Sequence, residues 1–441
     1  MSSPLAFEVL HRSTQTRARL GRVTTPHGSF DTPAYMAVGT QGAMKGLFPR
    51  DVAATGAQIL LNNTFHLMLR PGDELVREMG GVHAFMQWDR PILTDSGGYQ
   101  AYSMADINAI DEDGVTFRSI VDGAEVRLTP ERAIWVQNNL GADIIMAFDD
   151  CPPSEDPTLG PMSKTKLKLA AKRQGRRDYD HGARLDEALD RTARWLERCK
   201  AAHARADEQA LFGIVQGGTD ETRRARSIEQ VCGIELPGYA IGGVAVGESS
   251  IDIARVVHFT APRMPAHRPR YLMGVGYERD IFVAALAGVD MFDCVLPTRN
   301  GRSSNAFTRS GQIRLKNARF THDEGPIDSE CDCPACDPAG HGWPTADRGW
   351  FSRAYLRHLF IADEMLGPIL VSLHNLRHFQ RLMLDIREAI AQDQWSLFER
   401  AWPVLHGSIP PDVAQREGLA TLPPSLIGDA ESAASTRNPS E

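Results

Sequence analysis

Three thiols within six positions and two carboxylates at the ends of apolar runs are the groups here whose type and spacing could do chemistry. The thiols are Cys331, Cys333 and Cys336, in the segment CDCPAC. Soft thiolates so closely spaced suit a tetrahedral zinc ion, which needs a fourth ligand. His341, His358 and His374 are available, and spacing alone favours His341. With four protein ligands such a site would be closed and structural. The carboxylates are Asp95, in TDSGGYQ, and Asp293, in MFDCVLPTRNGR. Two carboxylates at one mouth are the minimum for exchange at a glycosidic carbon. One attacks the anomeric carbon; the other protonates the departing group and deprotonates the incoming one, so two inversions restore the stereochemistry. The plainer readings are that Asp95 caps the turn Ser96–Gly98 and that Asp293 pairs with Arg299 or Arg302.

Other polar residues sit where they could hold a planar heterocycle. Asp149 could accept two N–H donors from an amidine-like edge such as that of guanine. Gln216 could supply an amide and Gly243 a bare backbone. Tyr99 and Met273 could offer flat, polarizable faces. Taken singly, each is more often a core or turn residue.

These residues need elements to position them, and eight apolar runs provide them: near 34, 58, 91, 143, 210, 239, 270 and 291. Most are continuous rather than alternating, as in parallel strands buried on both faces. Helix-like segments such as Pro130–Leu140 and Ala188–Ala202 lie between several of them. Eight such alternations predict an α/β fold, a (β/α)8 TIM barrel whose reaction site opens at the C-terminal ends of the strands. Asp95, Asp149, Gln216, Gly243 and Asp293 all fall at those ends. The predicted organisation is a barrel core over 1–310 with a basic insertion near 154–182, a zinc-binding subdomain over 311–375, C-terminal helices over 376–425 and a disordered tail over 426–441.

Composition sets the outer bounds. The chain has 441 residues, 42% of them hydrophobic and 24% charged, which is ordinary globular material. No run of 18 apolar residues occurs and the start has no long apolar stretch, so neither a membrane span nor a secretory signal is expected. Seven cysteines, three of them clustered, fit a reducing cytoplasm better than a disulfide framework. The net charge of −8 argues against a non-specific nucleic-acid coat but not against a local basic groove. Lys164–Arg177 holds seven basic residues among 14 and no acidic one. It is either a solvated surface or a contact for phosphates.

The ordered segments NTFHLMLRPG (63–72), RPILTDSGGYQ (90–100), AFDDCPP (147–153), LFGIVQGG (211–218), GGVAVGE (242–248), YLMGVG (271–276), DMFDCVLPTRNGR (290–302) and CDCPAC (331–336), followed by His374-Asn375, together resemble the queuine/archaeosine tRNA-ribosyltransferase family, in its bacterial form. The resemblance covers about residues 5 to 405. It implies a barrel with a small zinc subdomain and replacement of the wobble guanine of GUN-anticodon tRNAs by preQ1, through a covalent enzyme–tRNA intermediate, in queuosine biosynthesis. It implies Asp293 as nucleophile, Asp95 as general acid/base, Asp149, Gln216 and Gly243 as base-binding groups, and Tyr99 and Met273 as the faces that sandwich the base. It makes Cys331, Cys333, Cys336 and His374 the ligands of one structural Zn2+, against the spacing argument for His341. The implied partners are tRNAs for aspartate, asparagine, histidine and tyrosine, held in part by Arg299 and Arg302, with preQ1, guanine and a second copy of the chain in a homodimer.

Some departures stand out. Val244 replaces a leucine, Phe65 replaces a tyrosine, and the Ser154–Gly182 stretch is longer than usual in the family. Three rival readings remain. An archaeosine-type enzyme would carry more chain after the His-Asn pair. A queuine-using enzyme would need a glycine where Val246 stands. A non-catalytic tRNA-binding subunit would have lost Asp95 or Asp293.

Overall fold

Eight short parallel strands close into a barrel in a computed structural model of the chain. It describes residues 4–100, 107–154, 156, 180–245, 247–343, 349–407, 414–415 and 426–427. Strands are numbered in chain order. An antiparallel sheet comes first: β1 (Ala6–Arg12), β2 (Arg19–Thr25) and β3 (Gly28–Thr32). The barrel strands are β4 (Ala34–Val38), β5 (Leu60–Asn62), β6 (Ile92–Thr94), β10 (Ile144–Met146), β11 (Ala210–Val215), β12 (Gly238–Ile241), β13 (Arg270–Leu272) and β14 (Met291–Cys294). They pair in chain order, and β14 closes the ring on β4, with Asp293 opposite Met36. All eight predicted runs supply a barrel strand, because a segment buried on both faces has to be apolar throughout.

The helices between strands follow local signals. Pro130–Leu140 is a helix with the bounds expected from sequence. Thr129 Oγ1 accepts from the Arg132 N–H, Pro130 takes the first turn where its missing N–H costs nothing, and Gly141 ends the helix at φ +75°. The segment expected over Ala188–Ala202 begins earlier, at His181, behind an Asp180 cap.

Two apolar layers result. Met36, Leu61, Leu93, Met146, Ile214 and Tyr271 fill the barrel, joined by Val23 and Phe30 of the N-terminal sheet, which plugs the bottom. A second layer lies between strands and helices and includes Tyr35, Phe148, Trp195, Phe292 and Phe379. At the bottom the Asp143 carboxylate ties three segments together. It accepts from the His27 backbone N–H (3.1 Å) and ring Nδ1 (2.8 Å), from His83 Nε2 (3.0 Å) and from the Ile92 N–H (2.9 Å). The two imidazoles stack with centroids 3.5 Å apart.

Sequence reading did not find three further pieces. They are the β1–β3 sheet, a second antiparallel sheet of β7 (Ile107–Ile110), β8 (Val115–Arg118) and β9 (Glu125–Leu128), and the ribbon of β15 (Asn305–Thr308) and β16 (Gly311–Arg314). A single helix, Leu366–Gln392, runs through residue 375 and packs on β4. Most of the 154–182 stretch, including Lys164–Arg177, lies outside the described residues, as do Val246 and 428–441. Leu426 is buried in the outer layer. No helix among the described residues is long and apolar enough to cross a membrane.

Candidate active site and metal centre

The C-terminal ends of the strands open onto a cavity of about 550 Å³, a size suited to a small heterocycle. Asp95, Asp149, Gln216, Gly243, Tyr99 and Met273 all line it, and so do Asp293 and Arg299. Residues spread over 200 positions meet here because each ends its own strand or follows it within a few residues.

Asp95 follows β6 and is buried. One carboxylate oxygen accepts from Asn63 Nδ2 and the other from the Thr64 N–H (2.8 Å), while Thr64 Oγ1 donates to the Asp95 carbonyl (2.5 Å). The aspartate is thus tied to the end of the neighbouring strand as well as to its own turn. Burial pushes its pKa up to about 6, against the hydrogen bonds from Asn63 and Thr64, and the nearby Asp293 charge adds to the rise. A carboxyl titrating there can hold a proton and release it near neutrality.

Asp293 closes β14. Its Oδ1 accepts from the Tyr271 hydroxyl (2.5 Å) and the Gly274 N–H (2.7 Å). These contacts stand in place of the pairing with Arg299 or Arg302 that the plainer reading offered. Burial raises its pKa, while the two donors favour the ionised form. Two neutral donors aim the carboxylate without the permanent counter-charge that would blunt a nucleophile. Arg299 and Arg302 lie on the helix Leu296–Arg302 just beyond, with Arg299 facing the cavity.

Asp149 sits between Gln216 Nε2, which donates at 2.6 Å, and Ser96 Oγ, at 3.3 Å. Burial lifts its pKa to about 7; Gln216 opposes the rise and Asp150 adds to it. Gly243 has φ +65°, and a Cβ there would fall 2.3 Å from Gln216 Oε1, so any other residue would strain the backbone and displace the Gln216 amide. The buried Arg224 holds this corner by donating to the carbonyls of Val215 (3.0 Å), Gly218 (2.8 Å) and Gly242 (2.7 Å). Tyr99 is exposed at the rim and Met273 half-buried.

Tyr271, Gly274 and Arg224 are the working neighbours that sequence reading missed. A hydroxyl inside the apolar run RYLMGVG was a usable signal for Tyr271. No signal marked Arg224, which sits in a helix among other arginines.

Away from the cavity, Cys331, Cys333, Cys336 and His374 bring their donor atoms within 4.8 Å of one another, and all four are buried. His374 Nδ1 lies 3.4 Å from Cys333 Sγ and 3.5 Å from Cys336 Sγ, and its Nε2 donates to the Phe307 carbonyl (2.7 Å). Fixing the proton on Nε2 turns the Nδ1 lone pair toward the thiols, the usual outer-shell arrangement of a metal-bound histidine. The spacing argument for His341 is overturned. That ring is half-buried and bonds the Asp332 carbonyl through Nε2 (2.7 Å), and His358 is not in the group either. Proximity in sequence lost to a helix that returns 38 residues after Cys336.

The family model for queuine tRNA-ribosyltransferase matches residues 13–173 and 176–406. The chain belongs to the queuine tRNA-ribosyltransferase family. It is 48% identical over 397 residues to the queuine tRNA-ribosyltransferase of Thermus thermophilus, covering 90% of this chain and 93% of that protein. For the enzyme of Lysinibacillus sphaericus the figures are 47% over 395 residues, 89% and 94%. For that of Listeria welshimeri they are 44% over 410 residues, 93% and 99%. The chain is therefore an enzyme, a tRNA-guanine transglycosylase, and its reaction is guanine exchange in tRNA on the route to queuosine.

Proposed function

We propose that this transglycosylase replaces the wobble guanine of GUN-anticodon tRNAs by preQ1 through a covalent bond between Asp293 and the ribose. One observation carries the reading: the carboxylate held by Tyr271 and Gly274 shares a cavity with a second carboxyl, Asp95, that titrates near neutrality. Asp293 attacks C1′ as the bond to guanine N9 breaks. The electron pair stays on the base, and the protonated Asp95 delivers its proton to it. Asp95, now ionised, takes a proton from the incoming base, whose nitrogen attacks C1′ and expels Asp293. The base lies between Tyr99 and Met273, its N–H edge on Asp149 and its carbonyl side toward Gln216 and Gly243. Arg299 and Arg302 meet phosphates of the anticodon arm, which position the strand without reading it.

PreQ1 is favoured over queuine because the sequence has Val246 where a queuine-using enzyme needs a glycine. The Cys3His group suits zinc in donor type and number, since three thiolates and one imidazole make a closed tetrahedral set. Zinc would serve there to hold the segment around Cys331–Cys336 against the helix Leu366–Gln392. The division into barrel core, zinc subdomain and closing helices, the homodimer, the four tRNA types and action in the cytoplasm belong to the same reading.

The deciding experiment is a trap. Enzyme, tRNA and a 9-deazaguanine inhibitor are run on a denaturing gel, where a shifted protein–RNA band is expected for the native chain and none for Asp293→Asn. A shifted band from Asp293→Asn would remove Asp293 from the nucleophile's role.

A further inference from the structure

The residues just after Asp293 are held from outside the cavity by two buried polar side chains. Tyr35, on β4, is 1% exposed and donates its hydroxyl to the Cys294 carbonyl at 2.8 Å. Cys294 is the next residue after Asp293. Burial keeps the phenol protonated and therefore a donor. Asn375, fully buried, donates through Nδ2 to the carbonyls of Pro297 and Asn305, both at 2.9 Å, and accepts from the Phe307 N–H at 3.0 Å. Pro297 lies in the first turn of the helix that carries Arg299.

Both groups are backed by the one helix Leu366–Gln392. Asn375 sits on it beside His374, and the two residues grip opposite sides of the same backbone unit, Phe307, through its N–H and its C=O. Tyr35 stacks on Phe379 with centroids 4.9 Å apart, and its carbonyl accepts from Gln380 Nε2 at 3.1 Å. This helix and Leu296–Arg302 also cross tightly: a Cβ on Gly301 would come within 2.8 Å of the Ser372 backbone. The approach is close enough for rotation or sliding of one helix to carry the other with it.

We infer that Tyr35 and Asn375 are positioning residues that hold the segment Asp293–Arg302 in register with the cavity, using the His374-bearing helix as their anchor. The inference rests on Asp293 being the nucleophile. Neither residue reaches the cavity itself. Each fixes a carbonyl that follows Asp293 by one or four residues, and so limits how far the carboxylate can drift from C1′. The free base is bound by other strands, through Asp149, Gln216 and Gly243, so its binding does not depend on this hold. Displacing a reacting group by about 1 Å can lower a rate about 100-fold.

The test uses Tyr35→Phe and Asn375→Ala in the full-length, metal-loaded protein, with exchange of labelled guanine in tRNA as the readout. Metal content and the unfolding midpoint are measured alongside. At a temperature well below unfolding, and with metal content equal to the native chain, kcat should fall about 10- to 100-fold in each variant. KM for the free base should stay within about twofold. The rate of trapped covalent complex formation should fall in step with kcat. A role confined to stability would lower the unfolding midpoint and leave kcat untouched. Native kcat in Tyr35→Phe would therefore overturn the inference, as would a loss of activity that appears only as a raised KM. If Asn375→Ala loses metal or fails to fold, Tyr35→Phe, which removes a single hydroxyl, still decides. Failure of the underlying reading looks different: the native protein would then give no trapped complex through Asp293.

Discussion

Two buried carboxyls in the cavity differ in what surrounds them, and the proposed reaction gives them different tasks. Asp95 and Asp149 are both driven upward by burial, to about 6 and about 7, yet they stand in different company. Asp95 faces the Asp293 charge, whereas Asp149 is held by the Gln216 amide. The first is suited to moving a proton, the second to receiving N–H donors once ionised. In the proposed role at the base edge Asp149 must be deprotonated to accept two N–H groups, and that form is lost as pH falls through about 7. KM for free guanine should therefore rise as the medium is acidified from pH 8 to 5.5, by up to about tenfold per unit below the pKa. Asp149→Asn should bind weakly at every pH. A flat KM in the native protein over that range would take Asp149 out of the base edge.

At the level of elements, the barrel separates chemistry from stability along its axis. The C-terminal ends carry the cavity, and the N-terminal end is tied by Asp143. Burial disfavours the ionised form of Asp143, but hydrogen bonds from His83, the Ile92 N–H and His27 more than reverse this, leaving its pKa at about 2. A carboxyl depressed from its unfolded value near 4 contributes stability that is full above pH 4 and is lost as pH falls toward 2. A shift of that size is worth about 2 kcal/mol. Asp143→Asn should lower the urea-unfolding free energy at pH 7 by at least that much and should flatten its decline between pH 4 and 2. Exchange activity at pH 7 and moderate temperature should stay near native, because the carboxylate lies at the far end of the strands from the cavity. An unchanged acid limb in the variant would show that the knot is redundant.

Across the whole molecule, one long helix joins the Cys3His group to the barrel wall. It supplies His374 to the thiols and lays Phe379 and Gln380 on β4. On the proposed stoichiometry of one zinc per chain, elemental analysis should show loss of the ion in His374→Ala and retention in His341→Ala, whose ring bonds the Asp332 carbonyl instead. Chelation should loosen the segment around residues 305–361 first, seen as faster amide hydrogen exchange there than in the barrel strands. Uniform exchange after metal removal would mean that the ion does not hold this segment in place.

Every barrel strand was legible in the sequence, because strands shielded on both faces must be apolar along their length, and eight such runs appear in order. The helix Pro130–Leu140 was legible as well, because its cap, its leading proline and its closing glycine are all local signals. The polar residues at the strand ends were readable as a set because a closed barrel sends every strand end to one mouth. The β1–β3 plug was not legible. Its strands alternate exposed and covered residues, and only closure of the barrel beneath them decides which face is covered. The fourth member of the thiol cluster was misplaced by spacing, since a ligand delivered by a returning helix is near in space and far in sequence. The grip of Tyr271 and Gly274 on Asp293, and of Tyr35 on Cys294, needed the tertiary structure for the same reason. A hydrogen bond between neighbouring strands is fixed by their register, and register follows from packing the whole ring rather than from any one segment.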